Sequence, residues 1–97
     1  MTTIYKYPIE ITDSQIIELP YLHKILHVGL DPNGVPCIWS AVDLHSSANT
    51  VIEILVAGTG TPLGLNYGSF KKHIGSFIQD LFVWHVFTKS ETTVHKI

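Results

Sequence analysis

The sequence predicts a mainly β fold: a small antiparallel sandwich or partly open barrel of about six strands. Three observations carry that expectation. Short segments rich in β-branched and aromatic residues recur along the chain, clusters of turn residues separate them, and 97 residues leave room for one domain only.

Residues 3–11, TIYKYPIEI, alternate with period two. Tyr5, Tyr7, Ile9 and Ile11 share one face; Ile4, Lys6, Pro8 and Glu10 share the other. Pro8 cannot donate to a ladder, which places this strand at a sheet edge. Thr12-Asp13-Ser14 is a turn cluster. Residues 15–19 form a short strand that Pro20 stops, and 24–30 form the next one. In Asp31-Pro32-Asn33-Gly34, Pro suits the second position of a tight turn and Asn-Gly tolerates positive φ, so a hairpin is expected. The returning strand is the spine of the fold. Val35, Cys37, Trp39 and Ala41 share one of its faces, and Pro36, Ile38, Ser40 and Val42 the other. Both faces are mostly apolar, which makes it central and covered on both sides.

Residues 43–49 are a polar loop and 50–57 a further strand. Residues 58–66 are the longest irregular stretch, with three of the seven glycines. Residues 69–81 admit two readings. Phe70, Ile74, Ile78 and Leu81 fall at helical spacing and Ser69 can cap, which favours a short helix near 69–80; Gly75 inside it costs about 1 kcal/mol. Residues 82–87 are a strand apolar on both faces. The tail has no pattern, so one β domain is expected over 1–88 and a flexible tail over 89–97.

Hydrophobic residues make up 45% of the chain and charged residues 14%, against a usual charged share of about 25%. The apolar surplus points to a homo-oligomer interface. The net charge is −2 and arginine is absent, which argues against duplex DNA or RNA as partner. Cys37 is the only cysteine, so no internal disulfide forms, and a thiol in an apolar strand is a small core residue. No signal-peptide pattern opens the chain, and no apolar run approaches the roughly 18 residues of a membrane span. A cytoplasmic protein is expected.

Little in the sequence points to catalysis. His23 and His27 are four apart, which suits two ligands on a helix, but along a strand they are separated by about 13 Å. Paired carboxylates are absent, and nothing marks Cys37 as activated. A non-enzymatic protein without metal or cofactor is expected. The suggestive stretch is Gly58-Thr59-Gly60-Thr61-Pro62-Leu63-Gly64, whose backbone N–H groups and hydroxyls can cradle an anion, although it is neither a dinucleotide fingerprint nor a Walker loop. Tyr67, beside Asn66, can stack on a base, and Lys71, Lys72 and His73 form the only basic cluster. The candidate ligand-binding set is therefore Gly58, Thr59, Gly60, Thr61, Asn66, Tyr67, Lys71, Lys72 and His73. Trp39 and Trp84 are assigned to packing.

The segments IYKYPIEITDSQ, IIELP, KILHV, GVPCIWSAVD, GTGTPL, YGSF and FVWHVF, spanning residues 4–87, look like a family of short phage and prophage proteins of unknown function. Pro20-Tyr21-Leu22-His23 departs from the turn associated with that family, and residues 71–80 resemble an insertion. The resemblance implies a phage origin and a small β domain, and it carries no chemistry. By analogy of class, small phage proteins without enzyme signatures often bind a host component, and one such class sequesters nucleotide immune signals, such as cyclic oligonucleotides and cyclic ADP-ribose derivatives, in oligomeric pockets. The expected function is a sponge for a small phosphorylated nucleotide in the cytoplasm of an infected bacterial host. The alternative is a protein-binding inhibitor or structural module without a small ligand.

Overall fold

A computed structural model of the chain describes residues 2–63 and 72–95, with the backbone alone at Ser90. Seven strands follow one another: β1 (Thr2–Pro8), β2 (Gln15–Pro20), β3 (His23–Leu30), β4 (Pro36–Asp43), β5 (Ala48–Gly58), β6 (Lys72–Gln79) and β7 (Phe82–His95). They form two antiparallel sheets, one of order β1-β4-β3 and one of order β2-β5-β7-β6. The sheets pack as an open sandwich. The core between them is built from Ile9, Ile17, Leu19, Val28, Ile38, Ile52, Ile54, Val56, Phe77 and Val86.

The edge position expected for the strand containing Pro8 holds, because β1 pairs with β4 alone. The central position of the spine also holds, since β4 has β1 on one side and β3 on the other. Its inward side chains Ile38, Ser40 and Val42 are fully buried. The outward face is different. Cys37 is fully buried, but Trp39 is only half-buried and lies outside the core, its ring 5.4 Å from that of His27. Trp84, by contrast, packs against the core as expected.

Asp31 organises the β3–β4 turn. Its carboxylate accepts from the backbone of Asn33 (2.8 Å) and Val35 (2.9 Å), and Gly34 takes a φ of +79°. Lys6 from β1 reaches the same carboxylate at 2.9 Å, tying the edge strand to the turn. The Lys6 hydrogen bond, followed by those from the backbone, holds the Asp31 pKa below 3.8.

The helix expected near 69–80 is a strand over its described part. β6 pairs with β7 through a hairpin whose Asp80 adopts φ 56°. The apparent helical stripe is not one: Ile78 and Leu81 are 67% and 95% exposed, while Phe77 is buried. A long strand next in sequence offers β6 backbone partners along one side, which outweighs weak helical spacing. Gly75, a liability in a helix, has a packing role in the strand. A Cβ there would sit 2.8 Å from Cβ of Val28, so the missing side chain lets β6 press against β3. β7 also runs past residue 88, the boundary expected from sequence. Residues 91–95 pair with Ala48–Ile52, where β-branched Thr92, Thr93 and Val94 suit an extended backbone.

Gly75→Ala should cost about 1–3 kcal/mol through overpacking. Val28→Ala in the same chain should recover part of that loss, so the pair is non-additive in urea unfolding. Strictly additive costs would contradict the contact. Asp31→Asn should unfold at lower temperature than the wild type at pH 7. Because the folded carboxyl is depressed, its stabilisation is present above the unfolded value and disappears as pH falls through the folded one. The gap between variant and wild type should therefore close below about pH 3.8, as followed by thermal melts.

Candidate functional site

Of the nine residues expected to bind a ligand, the six described ones divide between two places. Gly58 to Thr61 make a tight turn after β5, closed by a hydrogen bond from Thr61 N–H to the Gly58 carbonyl at 3.1 Å, with Gly60 at φ +85°. The positive φ at the third position is what requires glycine. Asn66, Tyr67 and Lys71 lie outside the described residues. Lys72 and His73 are neighbours on a strand, so their side chains leave on opposite faces. One belongs to each of two separate clusters.

The first cluster lies on the outer face of the four-stranded sheet. Ser76 Oγ lies 3.0 Å from His73 Nε2 and 2.8 Å from His85 Nδ1, and His85 Nε2 lies 2.8 Å from Thr59 Oγ1. One directed arrangement satisfies every member. Thr59 donates to the Val83 carbonyl at 3.4 Å, accepts from His85 Nε2–H, and leaves Nδ1 to accept from Ser76, which accepts in turn from His73 Nε2–H. The strand pairing makes this possible, since Ser76 stands directly opposite His85. A bulge between His73 and Gly75 shifts His73 within reach. Phe87 meets the His73 ring edge-on at a centroid distance of 5.3 Å.

The second cluster lines a cleft of about 540 Å³ between the sheets, beside the contact of β3 with β6. Lys24 and Lys72 enter it from those two strands, with His23, Ile25 and Tyr21. Thr50, Glu91 and Thr93 complete it from β5 and β7. Two local bonds position the β3 end. His23 Nδ1 donates to the Pro20 carbonyl at 2.6 Å, which leaves Nε2 as the accessible nitrogen. The buried Ser40 hydroxyl lies 3.0 Å from the Lys24 carbonyl. Neither lysine makes an ion pair among the described residues. Tyr21, His23 and Lys24 also line a shallower depression of about 520 Å³, shared with Thr2, Leu22, Ala41 and Asp43.

Of the described members of the expected set, only Lys72 lines this cleft. Lys24, His23, Thr50 and Thr93 had no local signal, because they come from three strands and only pairing brings them together. Cys37 does not enter either cluster, and burial, aided by the charge of Asp31, pushes its thiol pKa up, away from the thiolate a nucleophile needs. Among the described residues no three His, Cys, Asp or Glu side chains converge on a metal position, and no helix is long and apolar enough to cross a membrane.

The strand order and the inter-sheet cleft define an open two-sheet antiparallel β domain. The chain belongs to the family described as a domain of unknown function, DUF7352, whose profile matches residues 1–96. No curated protein and no solved structure matches it.

Proposed function

We propose that the protein binds a small phosphorylated nucleotide in the inter-sheet cleft and holds it without cleaving it. The observation that carries this reading is the convergence of two lysines, Lys24 and Lys72, with no counter-ion pair among the described residues, in one concavity with hydroxyl groups. Two ammonium groups supply the charge for a phosphate or diphosphate. Thr50, Thr93 and the free Nε2 of His23 supply hydrogen bonds, and Tyr21 offers an aromatic face for a base. Glu91 can accept from ribose hydroxyls or an exocyclic amine. The resemblance to short phage proteins extends the reading to sequestration of a nucleotide signal of host antiviral immunity inside the infected cell.

One observation favours a second reading, a protein-binding module. The β6–β7 hairpin tip is apolar and open: Leu81 is 95% exposed, Ile78 67% and Phe82 60%. A surface of this kind suits association with another chain, whether a copy of this one or a host protein.

Thermal shifts against a panel of cyclic nucleotides and ADP-ribose derivatives separate the two. A ligand at 100 times its Kd adds about 2.7 kcal/mol of stability. Lys24→Ala and Lys72→Ala should each weaken binding by roughly tenfold or more, in line with about 1.5–3 kcal/mol for a charged hydrogen bond. Recovery of the ligand unchanged after incubation is expected. Absence of any shift at saturating concentration would remove the nucleotide reading and leave the apolar tip as the functional surface.

A further inference from the structure

The cluster on the outer face of the four-stranded sheet is independent of the cleft. We propose that His73 and His85 form a binding site for a divalent transition-metal ion of the zinc, nickel or copper class. Two imidazole nitrogens on adjacent strands, His73 Nε2 and His85 Nδ1, are directed at a single point, now held by the Ser76 hydroxyl at 3.0 and 2.8 Å. The ring centroids are 6.2 Å apart and inclined by 47°. Bringing both nitrogens to the roughly 2.0–2.1 Å of a metal–imidazole bond needs the exposed His73 ring to rotate toward the partly buried His85 ring.

Both rings are already oriented by a second contact. Thr59 Oγ1 accepts the outer N–H of His85 at 2.8 Å, the partner that a metal-bound imidazole requires on its far nitrogen. Phe87 braces His73 edge-on. The short β6–β7 hairpin keeps the two strands paired on both sides of the bulge that follows His73. Binding needs His73 in the tautomer that carries its proton on Nδ1, and it turns the Ser76 hydroxyl toward solvent. Water or a ligand atom fills the remaining positions, which gives an open site. Imidazole donors without a carboxylate select zinc, nickel, copper and cobalt over magnesium and calcium.

Isothermal titration of the intact protein with zinc and with nickel, together with Co2+ absorption and imidazole 15N shifts, tests the site. One ion per chain is expected, with shifts at His73 and His85 and none at His23 or His27. Calcium and magnesium should give no heat. His73→Ala and His85→Ala should each lose at least tenfold in affinity. Thr59→Val should lose about tenfold, and Ser76→Ala should bind as tightly as the wild type or tighter. Should His85→Ala fail to fold by circular dichroism, His73→Ala decides. Unaltered zinc affinity in the His73 variant, or no binding by the wild type at millimolar ion, would overturn the site. Neither result bears on nucleotide binding in the cleft, which Lys24 and Lys72 test separately.

Discussion

The architecture depends on the close approach of Val28 to Gly75. It presses the edge strand of the three-stranded sheet against the edge strand of the four-stranded one, at a point where even a methyl group would overlap. That contact closes one side of the sandwich over Val28, Phe77 and Val86, all buried. It also sets where the sheets stand apart. Lys24 and Ile25 precede Val28 on β3, and Lys72 precedes Gly75 on β6; these residues line the cleft beside the seam. The absence of one side chain thus helps shape both the core and the candidate site.

β6 links the two clusters because successive residues of a strand point in opposite directions. Lys72 faces the cleft, while His73 faces outward toward Ser76 and His85. Their proximity in sequence makes a basic patch only on paper. In space they serve separate surfaces, with ammonium groups and hydroxyls on one side and imidazoles and hydroxyls on the other. Asp31 plays a comparable joining role for the three-stranded sheet, since one carboxylate satisfies the turn and anchors Lys6 of the edge strand.

Much of the fold was legible from local chemistry. Pro8 marked an edge, Asp31 to Gly34 marked a hairpin, and two apolar faces marked the central strand. What was not legible depended on distant pairing. Residues 72–79 carry apolar spacing compatible with either period, and only β7 as an immediate partner decides for strand. Trp39 stands half-buried over His27 on an outward face, a placement that alternation alone cannot distinguish from the core when both faces of the strand are apolar. Of the candidate site, Thr59, Lys72 and His73 stand out locally as polar groups, but their neighbours His85, Lys24 and Thr50 lie on other strands, and Ser76 meets His73 across the bulge within β6.

The most direct test of the account is a backbone 1H–15N NMR titration with ADP-ribose, which reports where the ligand sits and not merely that it binds. Shifts clustered at Lys24, Thr50, Lys72 and Thr93, with little change at Thr59 or His85, are the predicted result. Shifts confined to the outer face of the four-stranded sheet or to the hairpin tip at Leu81, with the cleft residues unmoved, would contradict it.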